Sequence, residues 1–498
     1  MLNTEPTICV GVIEKAHEVR GKFNGVFELP NSVRLSGLFT VRAEERVLVF
    51  YDEAGIEAYR GTRPNDARSN DARSNDGVGR GVGISARPRP EGFVEPSREL
   101  SRTLSRDARP EGSIEPQAEI RCTPAADATF TLFDVAIGIH FHWERKEDQT
   151  FRGGVKFVSD APSSLAAINE IGVEEYLKSV ISSEMSAEAP EELLKAHAIT
   201  SRSWLVAMLE REAKSVGVPS QRSRVSENEI VRWYDREDHA LFDVCADDHC
   251  QRYHGISKII SAAANDAVEA TRGLFLVHEG KICDARFSKS CGGISEVFES
   301  CWEDTPVPYL QPISDWTTPP SAMNNEPRVR EWILSSPEAF CNTTDGKILK
   351  QVLPSFDQET TDFFRWKVEY RQEELQNLLT KKSGIEFGAV MNLVPLQRGP
   401  SGRIVKLRIE GTRRTLTVGK ELEIRRWLSS SHLYSSAFVV DIQRDTKGIP
   451  ATFTLHGAGW GHGVGLCQIG AAVMAAKGYE AEEIVKHYFV STEVKKLY

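Results

Sequence analysis

Three groups of residues in this chain have types and spacings that suit chemistry. The first lies in "VEEYLKSVISSEMSAEAPEELLKAHAITSRSW", Val173 to Trp204. A helical period of about 100° per residue gathers Val173, Tyr176, Leu177, Val180 and Ile181 into one apolar stripe and sets Glu184 near its middle. A carboxyl between apolar walls is desolvated, which disfavours its charged form and lets it hold a proton for general acid work. Cleavage of a glycosidic bond asks for such an acid. The plainer alternative is a glutamate at a frayed helix end, turned toward water.

The second group is "HGAGWGHGVGLCQIGAAVMAAKGY", which starts at His456. Five glycines between Gly457 and Gly465 are interrupted by Trp460 and His462. The order matches no phosphate-binding pattern. Such a backbone can come close to a ligand, and an indole with two imidazoles, His456 and His462, suits the C–H faces and hydroxyls of a sugar. A tight turn whose Trp caps the core is the other reading. The third group is "HALFDVCADDHCQRYHG", where His239, Cys245, His249, Cys250 and His254 are all zinc-ligand types. Its spacing fits no common finger, so a buried cysteine pair with surface histidines stands beside the metal reading. In "SKSCGGISEVFESCW", Cys291 and Cys301 could pair as a disulfide in an oxidising compartment.

These groups need a scaffold. With 498 residues, 40% hydrophobic and 27% charged, the composition is that of a globular chain with room for about two to four cores. A net charge of -10 argues against a general nucleic-acid binder. No apolar run reaches the length of a membrane span, and the start "MLNTEPTICVGVIEKAHEVRG" lacks the features of a secretory signal, which favours the cytoplasm. Residues 1–60 read as a β segment, either a small domain of its own or strands of the main one. Residues 61–116, with "NDARSNDARSND" and two "ARP…EP" repeats, read as a disordered insertion. From 117 onward, strands resume and lead into two helices, the second opening at Pro190 with Glu191 and Glu192 in its first turn. A hairpin and an Ala-rich helix close the chain.

The run "GVEEYLKSVISSEM…PEELLKAHAITSRSW", the "CQRYHG" element, "FSKSCGGISEVFE" and "GWGHGVGLCQIGAAVMAAKG" stand in one order. In this the chain resembles the stage II sporulation protein D (SpoIID/LytB) domain family, over roughly residues 117–498 with insertions near 214–238 and 302–385. The resemblance implies a lytic transglycosylase that cuts between N-acetylmuramic acid and N-acetylglucosamine and leaves a 1,6-anhydro muramic end. The glutamate before the methionine, Glu184, would be its acid. Ser201, Arg202, His462 and Gln468 would face the substrate, with His456 and Trp460 beside them. The resemblance also implies a structural zinc on His239, Cys245 and Cys250, and no organic cofactor. Cys291 and Cys467 stand where serine is usual in the family. The implied partners are peptidoglycan glycan strands and a cell-wall amidase, because some relatives are amidase enhancers. A glycan-binding enhancer is therefore the competing reading, and a zinc-stabilised envelope protein a third. The family implies the cell envelope or periplasm, in tension with the missing signal. The expected fold is α+β, a mostly antiparallel β scaffold with packed helices forming a substrate cleft.

Overall fold

A computed structural model describes residues 4–45, 47–61, 118–138, 144–161, 163–186, 189–214, 223–234, 239, 241–247, 250–258, 262–318, 323, 325–352 and 362–498. The insertion expected at 61–116 lies outside them apart from Gly61, as does His249.

The fold is α+β with largely antiparallel sheets. In the largest sheet, Thr7–Ala16 pairs antiparallel with Ser164–Gly172, from Thr7 opposite Gly172 to Ala16 opposite Leu165. Ser164–Gly172 pairs on its other side with Gly154–Ala161, and that strand with Ala118–Pro124. The N-terminal residues are thus strands of the same sheet that feeds the "VEEYLKSVISSEM" helix. Along Glu18–Glu28 buried and exposed residues alternate, turning Val19 and Phe23 inward and Arg20 and Lys22 outward, as a half-buried strand requires. Phe23 stacks on Phe27 with ring centroids 4.2 Å apart, and Phe39, Phe50, Phe130 and Phe157 extend the same core.

That core reaches the functional half through two tyrosines. Phe151 lies 5.7 Å from the ring of Tyr253, which stacks at 5.0 Å on Tyr176 of helix α1, Val173–Glu184. All five stripe residues of α1 are fully buried or nearly so, the amphipathic face expected from its period. Helix α2, Glu191–Lys214, follows and packs against α1. Two of the smaller sheets lie mainly in the C-terminal half. Arg365–Arg371 and Phe438–Arg444 flank Pro450–Ala458, and Glu229–Arg232 runs parallel to Thr415–Gly419. Strands from both regions first read as insertions are therefore built into these sheets. The helix Gln468–Ala476 packs on α2. Among the described residues, no helix is long and apolar enough to cross a membrane.

Candidate functional site

Glu184 is the last residue of α1. Met185, 3% exposed, leaves the helix in an extended conformation, and its N–H caps the Ile181 carbonyl. The buried thioether thus pins the helix end while the preceding carboxylate emerges half-buried. Glu184 lies at the margin of the apolar stripe and not in its centre, because the helix ends there. Its Oε1 accepts the backbone N–H of Arg252 at 3.3 Å.

The segment that carries Arg252 is held tightly. Tyr253 donates its hydroxyl to Asn169 Oδ1 at 2.5 Å, and the fully buried Asn169 amide donates to the carbonyls of Arg152 and Gly154. The His254 N–H donates to Ser179 Oγ of α1 at 3.0 Å. Gly255 follows at φ +56, where an added Cβ would stand 2.2 Å from the Thr150 carbonyl oxygen. Arg252 N–H is therefore aimed at Glu184 by the fixed backbone that follows it, the preorganisation that makes a polar group effective.

Two residues before Arg252, Cys250 Sγ lies 3.5 Å from His239 Nε2, and with Cys245 Sγ the three ligand atoms are all within 4.8 Å of one another. A sulfur and a nitrogen on one tetrahedral zinc, bonded at about 2.3 and 2.0–2.1 Å, would stand about 3.5 Å apart. Two thiols and an imidazole at this separation fit a zinc ion. The N-terminal strand builds the platform: Val10 and Gly11 pair with Val244 and Cys245, and a Cβ at Gly11 would overlap the Phe242 ring on which His239 packs at 4.5 Å. His254 is buried at its own position and does not join these ligands.

Ser201 and Arg202, expected to face substrate, are both fully buried in α2. Arg202 forks onto Glu174 of α1, at 3.0 Å from Nε to Oε1 and 2.6 Å from Nη2 to Oε2, and also donates to the carbonyls of Leu274 and Val268. Glu174 further accepts from the Gly273 N–H and the Tyr498 hydroxyl. A guanidinium so saturated is a clamp between helices. Ser201 Oγ lies 3.3 Å from His197 Nδ1, and His197 Nε2 lies 3.2 Å from Gln468 Nε2. With the Gln468 amide donating, the neutral ring carries its proton on Nδ1 and gives it to Ser201. Gln468 is buried too and joins the glycine loop to α2.

Burial pushes the His197 imidazole down to about 3. An unfolded imidazole takes a proton near 6.5, so stability from this group is full above that pH and falls as pH drops through the window toward 3. His197→Gln is expected to flatten part of the decline in urea midpoint between about pH 7 and pH 5. An unchanged slope would contradict this assignment.

In the glycine loop, Gly459, Gly461, Gly463 and Gly465 have φ of +75, +94, +76 and +71. The close approach these glycines permit is to the protein itself. A Cβ at Gly463 would sit 2.3 Å from Arg403 Cζ. Arg403, fully buried, donates to the carbonyls of Gly461 and Cys291 and to Ser401 Oγ. Gly463→Ala is expected to cost at least about 2 kcal/mol, from left-handed strain plus displacement of that guanidinium, seen as a lower thermal midpoint. An unshifted midpoint would show that the loop is slack.

Trp460 packs against Tyr434 at 4.3 Å and Phe363 at 4.8 Å and keeps part of its ring exposed. The His462 ring meets Trp302 edge to face at 4.9 Å, and its Nδ1 accepts the Val464 N–H at 3.0 Å. Burial, with the Arg286 and Arg403 charges, pushes His462 down to about 3, so it is neutral near pH 7. His456 stands apart, with Nε2 3.4 Å from Asp441 on the neighbouring strand. Cys301 lies against the His462 carbonyl, while Cys291 has Cys341 and Cys467 as its thiol neighbours, so the Cys291–Cys301 pairing does not form.

Residues 161–278, which hold Glu184, α2 and the Cys245–His254 segment, match the family model described as stage II sporulation protein. This stretch of the chain is similar to the SpoIID family. A second model, a domain of unknown function (DUF8618), matches residues 296–465 and takes in most of the glycine loop. Stage II sporulation protein D of Bacillus amyloliquefaciens is 24% identical over 330 residues, covering 66% of this chain and 76% of its own. An uncharacterized protein of Brachyspira hyodysenteriae is 25% identical over 332 residues, covering 66% and 68%. The amidase enhancer of Bacillus subtilis is 23% identical over 240 residues, covering 46% of this chain and 32% of its own.

Within the SpoIID domain, a hydrogen bond brings Glu184 together with Arg252, and through Arg252's neighbours with the His239–Cys245–Cys250 cluster. A separate chain of contacts brings Gln468 together with His197 and Ser201. Sequence reasoning missed Asn169, His197 and Arg403. Asn169 and His197 are polar residues in largely apolar runs, Arg403 follows the turn-like Gly399–Gly402, and none of these signals names a partner.

Proposed function

We propose that this SpoIID-like chain is a peptidoglycan lytic transglycosylase with Glu184 as general acid and then base. The observation that carries the reading is the Arg252 N–H bonded to Glu184 Oε1. Among the described residues no hydrogen bond reaches Oε2, so a carboxyl oriented through Oε1 presents its proton on Oε2. That proton passes to the departing glycosidic oxygen as the bond to the muramic anomeric carbon breaks. The muramic C6 hydroxyl oxygen then bonds to the anomeric carbon and returns its proton to Glu184, closing the anhydro ring without water. Trp460 offers a partly exposed ring to a sugar face.

His239, Cys245 and Cys250 would hold a zinc ion, which when bound supplies a cross-link between the edge strand at Cys245 and the segment that aims Arg252. This substrate lies in the cell envelope, and the reading puts the protein there. Likeness to an amidase enhancer supports a second reading, in which the chain binds glycan and stimulates an amidase without cutting. Mass spectrometry of glycan strands, intact and stripped of peptide, separates the two. Anhydro-muramic ends are expected. Reducing ends would mean a hydrolase, and binding without cleavage would favour the enhancer.

A further inference from the structure

Cys291, Asp315, Cys341 and Cys467 come from four separate segments and meet in the core. All four are buried, and one ligand atom from each lies within 4.8 Å of the others. Cys291 Sγ and Cys341 Sγ are 3.7 Å apart. Two sulfurs bonded to one tetrahedral zinc at about 2.3 Å stand about 3.8 Å apart. On a [4Fe–4S] cluster each thiolate binds its own iron and the sulfurs sit farther apart than this.

The surroundings are built for anionic sulfur and a fixed carboxylate. Cys467 Sγ accepts the Cys291 N–H at 3.3 Å, and Cys291 Sγ accepts the Gly293 N–H at 3.4 Å. Asp315 Oδ2 accepts the Cys341 N–H at 2.7 Å and Oδ1 the Tyr488 hydroxyl at 2.6 Å. These bonds orient the ligands as an outer shell does. A Cβ at Gly470 would stand 2.4 Å from Asp315 Oδ1, so this glycine leaves the space the carboxylate occupies. Arg365 reaches the same loop, donating to the Gly292 carbonyl at 3.0 Å. Among the described residues Asp315 makes no ion pair, and a buried charged carboxylate beside three thiols is costly unless a metal balances it.

We propose that Cys291, Cys341, Cys467 and Asp315 form a second metal site, a structural zinc centre distinct from His239, Cys245 and Cys250. Soft thiolates with one carboxylate select zinc over magnesium or calcium. The ion would tie residues of the 296–465 region, Asp315 and Cys341, to the flanking Cys291 and Cys467. Gln468, next after Cys467, bonds His197 on α2, so the centre would also hold the glycine loop against the SpoIID domain.

The test is zinc content per full-length chain by plasma emission, for wild type, Cys250→Ser, Cys341→Ser and Asp315→Asn, each checked for folding by circular dichroism. Cys250→Ser is expected to keep one zinc, and cobalt in its place is expected to give a thiolate charge-transfer band. Adding Cys341→Ser or, should that variant not fold, Asp315→Asn is expected to remove both metal and band. Folded Cys250→Ser protein without metal would overturn the proposal, as would metal retained when Cys341 or Asp315 is also changed. Thiol titration of the denatured chain is expected to count all nine cysteines. A count two short, with the missing pair mapped to Cys291, Cys341 or Cys467, would assign the cluster to a disulfide and overturn the metal.

Discussion

Glu184→Gln is expected to lower the rate of anhydro-muramic end formation by about 10²–10⁴-fold, the usual worth of a positioned general acid. Glutamine keeps the carbonyl oxygen that accepts the Arg252 N–H, so the fold and the site's shape are retained. It has no proton to give to a departing oxygen and no negative charge to accept one from the C6 hydroxyl. Glu184 is half-buried at a helix end, and stability is expected to stay within about 0.5 kcal/mol. Wild-type amounts of anhydro ends from the variant would remove Glu184 from the mechanism. Unchanged glycan binding with lost cleavage is the signature of an acid.

Arg202→Met is expected to destabilise the protein by about 3–5 kcal/mol, because it leaves the buried Glu174 carboxylate without its ion partner. The guanidinium is fully buried and holds α1, α2, the Val268–Leu274 turn and, through Glu174, the C-terminal Tyr498. Changing both partners, Arg202→Met with Glu174→Gln, is expected to cost less than the sum of the single changes, since the orphaned charge is gone. Denaturant unfolding of the four proteins reads this directly. A variant of wild-type stability with a raised KM for glycan would instead return Arg202 to the substrate-facing role that the sequence suggested.

The contrast between Glu184 and Arg202 marks how far sequence reaches. Both stand in quoted motifs, and both are charged residues in helices with buried faces. The period of α1 is legible because apolar spacing is a local property of the chain. The end of α1 is less so: Met185 turns extended to bury its thioether, and a helix boundary set by packing shifts a side chain from the middle of a stripe to its margin. Arg202 is decided entirely by partners far along the chain, Glu174, Val268 and Leu274. No window of sequence contains them together.

The glycine loop shows the same division. Its spacing of one glycine at every second residue was plain, and it does mark an unusual backbone. That the close neighbour is Arg403 depends on a residue roughly sixty positions earlier. The cysteines divide likewise. His239, Cys245 and Cys250 lie close enough in sequence to be read as one group, and the fold brings them together. Cys291 was paired in expectation with Cys301, its neighbour in sequence, whereas the fold gives it Cys341 and Cys467. By itself the sequence determined the α+β class, the apolar stripe of α1 and the family motifs, because periodicity, turn residues and short motifs are local. Tertiary structure decided which polar residues are clamps, which carboxylate is presented and which thiols meet, because burial and long-range contact exist only once distant segments have packed.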